Sequence, residues 1–392
     1  MYRVALVASH VIQYQAPFYR LLAQHPEIDL TVLYSSRAGA EVYRDREMQT
    51  SLRWDVDLLS GYRHRFLRNA GWGEGYSRLL NPGVIPAVLS RQFDAVILFM
   101  GWGTITSLLA IAACRMSGTP FFLFGDSSFP PPEETATQQL RAGFLRAIFR
   151  MAGGFLVSGT LNRDYYRHYG ADPARFFLVP WAIDNERFTS ASRMSADERN
   201  ELRQRFGATP DDVVIVYSAK LLPRKDPMTL LRGVAAMRHR KPALVLFLGH
   251  GELRDSLERF AREENLRVHF AGFVNQADLP RYYAAGDIFV LPSVYEPRGA
   301  VVNEAMACGL PVIVTDRCGS NGDIVREGDN AFVFPAGNAL HLAVHLDTLA
   351  EDPHFRARMA QRSTAIIAEW SYERGVEGVL AALQATRRGA PC

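Results

Sequence analysis

Short apolar runs recur along the chain, each followed by a polar loop and then by an apolar stripe at helical spacing. In the first half they are Arg3–Ala8, Leu30–Tyr34, Ala95–Phe99, Phe121–Phe124, Phe155–Val157 and Phe177–Val179. In the second they are Val213–Tyr217, Leu244–Leu248, Val268–Phe270, Ile288–Leu291, Val312–Val314 and Phe332–Phe334. The runs are rich in Val, Ile, Leu and Phe and do not alternate with polar residues. That is the pattern of parallel strands covered by helices on both faces. Strand–helix alternation over the whole length predicts two doubly wound α/β sheets.

A break between the halves falls in Pro180–Phe188 and the polar stretch up to Asn200. The expected domains are therefore residues 1–182 and 183–368, followed by a C-terminal helix and tail over 369–392 that carries Val376, Val379, Leu380 and Leu383 on one stripe. A length of 392 residues is too much for one ordinary core, which agrees with two domains. Open α/β sheets bind ligands at the carboxyl ends of their strands. Two such domains facing across a cleft place the expected site between them, with the C-terminal helix crossing back to the first.

Composition narrows the function classes. With 48% hydrophobic and 22% charged residues and a formal charge of +3, the chain reads as globular, and its charge gives no argument for nucleic acid. Cys114, Cys308, Cys318 and Cys392 show no CxxC pairing and no neighbouring histidines, so neither disulfides nor structural metal are expected. The sequence opens on the strand Tyr2–Ser9 without a basic and apolar leader, and the apolar helix candidate Ile105–Cys114 is half the length of a membrane span. A cytoplasmic location is the expectation.

The chemistry concentrates after the strand Ile288–Leu291. The loop there carries Glu296, and Gly299 precedes the helical Ala300–Cys308 with Glu304 about a turn inside it. A glycine at a loop-to-helix junction lets backbone N–H groups approach an anion, and the helix start offers Ala300 and Val301 donors and a partial positive charge to a phosphate. One carboxylate can then reach a sugar beside the phosphates while the other accepts from a ribose diol. The plainer alternative is two glutamates that favour a helix start and solvent. The abrupt stop at Gly309-Leu-Pro311 before a buried strand favours the first reading.

This segment, Glu296-Pro-Arg-Gly299-Ala-Val-Val-Asn-Glu304-Ala-Met-Ala-Cys-Gly309-Leu-Pro311-Val, resembles the E-x7-E signature of glycosyltransferase family 4. The likeness covers most of the second half and is weaker in the first. It implies a GT-B fold, a retaining transfer from a nucleoside diphosphate sugar (UDP or GDP), and no cofactor or metal. By the same resemblance Glu304 holds the ribose, Glu296 sits by the transferred sugar, and the backbone from Gly299 to Val302 holds the diphosphate. Arg298 stands where the family usually has an aromatic residue.

Two further loops follow the family's order. After Val213–Tyr217 come Lys220, Pro223, Arg224 and Lys225, cations able to neutralise a departing diphosphate; a solvated basic turn is the alternative. The loop is similar to the family's G-R-L-x-x-x-K-G motif, with Lys220 where arginine is usual and Asp226-Pro227 in place of glycine. Gly249-His250-Gly251 resembles a pocket-wall segment, and the resemblance gives Phe273, Val274 and Asn275 the reading of the base.

The first half offers acceptor candidates. His10 and Gln15 lie in a loop leading to a helix with Pro17 in its first turn, although the two glycines usual for the family are missing. His10 is either structural or a cleft residue. Asp126 follows Phe121–Phe124 where many family members place a histidine; it either accepts from sugar or acceptor, or caps the next helix. Trp102, between Gly101 and Gly103, is a candidate sugar-stacking platform or a domain contact. The segment Gln138–Met151 sets Arg141, Arg146 and Arg150 beside Leu140, Phe144 and Ile148, either a helix packed on its sheet or one able to lie on an anionic membrane. Expected partners are thus a nucleotide sugar and a glycan or lipid-linked hydroxyl acceptor. Rivals are a GT-B epimerase, a sugar phosphorylase and a noncatalytic nucleotide-sugar-binding subunit. No Gly-x-Gly-x-x-Gly follows the first strand, which disfavours a dehydrogenase.

Overall fold

The computed structural model describes residues 1–45, 47, 50–71, 76–130, 134–238 and 242–387. The chain forms two compact units: Met1–Tyr43 with Leu52–Trp181 and Tyr372–Cys392, and Arg44–Ser51 with Ala182–Ser371. Both are Rossmann-like parallel sheets covered by helices.

The strands of the first unit's sheet are β1 (Tyr2–Ala8), β2 (Ile28–Tyr34), β5 (Arg63–Phe66), β6 (Ala95–Leu98), β7 (Phe121–Phe124), β8 (Gly154–Val157) and β9 (Phe176–Leu178), in the order β5-β2-β1-β6-β7-β8-β9. Between β2 and β5 in sequence, β3 (Tyr43–Asp45) and β4 (Thr50–Leu52) form a separate two-stranded sheet. β6, β7 and β8 are buried at every position, as strands covered on both faces must be. One face packs on helices Ile105–Ser117 and Ala136–Met151 through Ala110, Ile111, Leu145 and Phe149. The other packs on helix Ala16–Gln24 and on the C-terminal helix Tyr372–Arg387, which contributes Val376, Val379, Ala382 and Leu383. Tyr372 donates to the Tyr14 carbonyl at 2.7 Å and stacks on Phe18.

Two elements were not legible. Arg63 and Arg65 lie in β5 at the sheet edge, where Arg63 pairs with Asp29. The polar β3–β4 pair lacks any apolar run.

The second unit holds β10 (Val213–Ser218), β11 (Ala243–Leu248), β12 (Arg267–Gly272), β13 (Ile288–Leu291), β14 (Val312–Thr315) and β15 (Ala331–Phe334), in the order β12-β11-β10-β13-β14-β15. All pair in parallel. The order reverses between β10 and β13, so the crevice at their carboxyl ends is the topological switch point, where such sheets take ligands. At the amino end of β13, Asp287 binds Arg199 and Arg203 at 2.9 Å each and ties helix Ala196–Arg205 to the sheet.

Candidate functional site

The loops after β10 and β13 meet at this switch point. The Val294 amide donates to the Arg224 carbonyl at 3.1 Å, and the Leu221 amide to the His250 carbonyl at 3.0 Å. The Gly249 amide donates to Gly272 at 2.8 Å. These bonds gather the segments holding Lys220, Gly249, Phe273 and Glu296 along one edge. Gly249 is obligatory there: its φ is +156° and an added Cβ would stand 2.0 Å from the Ala219 carbonyl oxygen.

Gly299 turns the loop into helix Ala300–Ala307 at a φ of +73°, with room for a Cβ only 3.2 Å from Cys318 Sγ. The first amides of that helix, at Ala300 and Val301, have no carbonyl one turn back and are the donors the sequence pointed to. Glu296 lies before this start, 8% exposed. Its Oε1 accepts from the Gly299 amide at 3.2 Å and its Oε2 pairs with Lys225 Nζ. Both side chains are nearly buried, at 12% for Lys225 and 10% for Glu296. Asp226, at a φ of +42°, caps helix Pro227–Ala235 through Thr229 and so sets Lys225 in the preceding 3-10 turn Pro223–Lys225.

Glu304 is also buried, and its Oε2 accepts from the Tyr283 hydroxyl at 2.8 Å. Burial pushes its carboxyl up to about 7, against the Tyr283 hydrogen bond and the Arg187 charge, which pull it down. Arg187 in turn donates to the Gln276 side chain at 2.8 Å and to its carbonyl. The plain reading of both glutamates as solvated helix-start residues is therefore overturned. Tyr283, Arg187 and Gln276 are additions from the structure: none lies in a motif with a spacing of its own.

Lys220 and Arg224 carry partners the sequence did not suggest. Lys220 Nζ lies 2.8 Å from Asp45 and 2.7 Å from Glu47, and Arg224 reaches both Glu47 oxygens at 3.0 and 2.9 Å. Those acids belong to Arg44–Ser51, the short segment of the first half that groups with the second unit. Phe273, Val274 and Asn275 are half-buried just past β12, where the Asn275 carbonyl starts the next helix by accepting from Leu279 at 3.0 Å.

The first-unit candidates fare unevenly. Gln15 is 4% exposed and its Oε1 accepts from Tyr19 at 3.0 Å, so it is a core residue and not an acceptor contact. Trp102 packs against the first unit's core, with Arg141 5.4 Å over its ring and Phe144 against its edge, which corrects the open stacking platform. Asp126 is exposed and does not cap the next described helix: Ala136–Met151 is capped by a Thr135–Gln138 capping box. His10 is exposed, with its Nδ1 2.9 Å from Ser9 Oγ. Cys114, Cys308 and Cys318 are free thiols, while Cys392 lies outside the described residues.

Residues 198–365 match the family model described as Glycosyl transferases group 1, a span that encloses Lys220, Lys225, Glu296 and Glu304. An uncharacterized glycosyltransferase of Methanocaldococcus jannaschii is 33% identical over 181 residues, 46% of this chain and 44% of that protein. A D-inositol 3-phosphate glycosyltransferase of Rhodococcus erythropolis is 30% identical over 268 residues, 65% of this chain and 57% of that protein. The chain thus spans about half the length of the curated relatives it matches. In structure it is similar to Anabaena HepE, solved in complex with UDP and glucose, at a TM-score of 0.74, 20% identity and coverage of 98% of this chain and 100% of that one. Two parallel-sheet Rossmann-like units of this kind are the fold of GT-B glycosyltransferases.

Proposed function

We propose that the protein is a retaining glycosyltransferase that moves a hexosyl group from a UDP- or GDP-sugar to a hydroxyl of a glycan or lipid-linked acceptor, in glycoconjugate or polysaccharide synthesis. The observation that carries this reading is the buried Lys225–Glu296 pair at the helix start of Gly299, inside the span similar to group 1 glycosyl transferases. The UDP bound in the HepE structure supports a uridine donor for this chain.

In this reading the second unit holds the donor. Ala300 and Val301 amides and the cations of Lys220, Arg224 and Lys225 hold the diphosphate, Glu304 holds the ribose, and Gly249 with Phe273–Asn275 frames the base. Transfer breaks the bond from the anomeric carbon to the diphosphate oxygen and forms one to the acceptor oxygen. The departing diphosphate carries the electron pair and takes the acceptor proton. Lysine and arginine stabilise the charge that develops, the role a divalent metal plays elsewhere. Glu296 faces the sugar once the diphosphate engages Lys225, while His10 and Asp126 remain the first unit's acceptor candidates.

Thermal unfolding in the presence of UDP, GDP, ADP and their sugar conjugates tests the donor site, since a bound ligand raises the melting temperature by mass action. A chain unmoved by all of them is not a nucleotide-sugar enzyme. A noncatalytic subunit would bind the donor yet keep its assembly role after Glu296→Gln.

A second contact has its own observation. Helix Ala136–Met151 contains no acidic residue and leaves Leu140 76% and Phe144 46% exposed beside Arg141 and Arg150. That face supports peripheral attachment to an anionic membrane. Among the described residues no helix is long and apolar enough to cross one.

A further inference from the structure

One phenol joins three elements of the second unit behind the candidate ribose ligand. Tyr283, in helix Leu279–Ala284, is completely buried, and its hydroxyl lies 2.8 Å from Glu304 Oε2 on helix Ala300–Ala307. Ser218, the buried last residue of β10, is a polar neighbour of the same phenol. The ring meets Phe188 edgewise at 6.1 Å and Phe289 at a tilt at 5.9 Å. It cannot swing aside without opening the core.

The chemistry gives this arrangement a direction. An ionised carboxylate only accepts, so Tyr283 must donate to Glu304, and its oxygen is then free to accept from Ser218. Glu304 Oε2 is thereby committed, and the carboxylate plane is fixed by a group that is itself fixed on both sides. A buried carboxylate without such a donor would lose its orientation and favour its proton.

We propose that Tyr283 is a positioning residue: it locks one oxygen of Glu304 so that the other is presented to the two ribose hydroxyls, and it thereby sets the preference for ribonucleoside over 2′-deoxyribonucleoside diphosphates. The inference rests on the reading of Glu304 as the ribose ligand. Tyr283 also lowers the Glu304 carboxyl, against burial, and so extends downwards the pH range in which the accepting form exists. Its loss moves the pH midpoint of nucleotide binding upwards, which a merely structural tyrosine would not do.

The test uses the full chain and titration calorimetry with UDP, GDP, their 2′-deoxy counterparts and inorganic pyrophosphate. Tyr283→Phe keeps the ring and removes only the hydroxyl. It is expected to weaken the preferred ribonucleotide about tenfold, to bring the ribo-to-deoxyribo ratio towards one, to raise the pH midpoint and to leave pyrophosphate affinity unchanged. Ser218→Ala removes the phenol's other polar neighbour and is expected to give a smaller change in the same ratio; it carries the test if Tyr283→Phe does not fold. A wild-type ratio and pH midpoint in these variants overturn the role of Tyr283 and leave the ribose reading intact. A wild-type protein that binds no nucleoside diphosphate, or that binds the deoxy forms equally well, overturns both.

Discussion

Lys220 holds Asp45 in a two-pronged contact, its Nζ 2.8 Å from one carboxylate oxygen and 3.1 Å from the other. Two of the cations proposed to hold the donor's diphosphate, Lys220 and Arg224, are therefore already paired with acids of Arg44–Ser51. The Arg224–Glu47 pair is exposed, and such pairs contribute only about 0.2–1 kcal/mol; the partly buried Lys220–Asp45 pair is the stronger competitor with a diphosphate. Asp45→Asn combined with Glu47→Gln is expected to tighten UDP or GDP binding several-fold, measured by calorimetry at low salt. Unchanged affinity would mean that the acids and the ligand use the cations together.

The Lys225–Glu296 pair predicts an asymmetry between its two members. Removing Lys225 strands a buried carboxylate, a defect costing on the order of 3–5 kcal/mol. Lys225→Ala should lower the melting temperature and weaken diphosphate binding together. Glu296→Gln instead frees the cation, so nucleotide binding should persist or tighten while single-turnover transfer falls by about a hundredfold or more. Equal loss of binding in both variants would refute the division of roles.

Glu304 ties stability to pH with a definite sign. Its carboxyl is raised to about 7 from an ordinary value of 4.5, so the folded chain holds that proton more tightly than the unfolded one. The associated stability is complete below the ordinary value and is lost as pH rises through about 7. Glu304→Gln should therefore stabilise the apo protein at pH 8, by on the order of 2–3 kcal/mol, and change little near pH 4. Wild-type nucleotide affinity should run the other way, falling as pH drops below about 7. Scanning calorimetry and binding titrations over the same buffers check both slopes.

Gly299→Ala forces a side chain into a φ of +73° and within 3.2 Å of Cys318 Sγ. A loss of about 1–2 kcal/mol is expected from the backbone alone. Because the helix start moves with it, pyrophosphate affinity should fall as well; a variant destabilised but binding normally would detach the helix amides from the anion site.

Leu140→Ser with Phe144→Ser should abolish co-sedimentation with anionic vesicles at low salt, and Arg141→Glu should weaken it, without altering nucleotide binding. Wild-type protein that stays in the supernatant would sink the membrane contact.

Much of the fold is legible because a buried parallel strand leaves a dense apolar run. Phe121–Phe124 and Ile288–Leu291 are strands between the residues the pattern indicates. Arg63–Phe66 is a strand that owes its place to pairing with β2 at a sheet edge, where apolar content is not required. The site divides in the same way. Glu296, Gly299 and Glu304 are bound by local spacing on one loop and helix and can be read together. Asp45 on Lys220, and Tyr283 on Glu304, are long-range encounters that no local spacing encodes. Gln15 and Trp102 misled because a loop position after a strand says nothing about which way a side chain turns; one turned into the core and the other lies under Arg141.

The C-terminal helix has a consequence for how the chain is made. Val376, Val379, Ala382 and Leu383 complete a face that begins with the first strand of the sequence. During synthesis from the amino end, the opening unit must wait, one apolar flank uncovered, until the entire second unit has emerged from the ribosome. A helix made after the second unit closes a unit begun before it, so a message cut short after Ser371 should yield a folded second unit attached to an aggregation-prone partner.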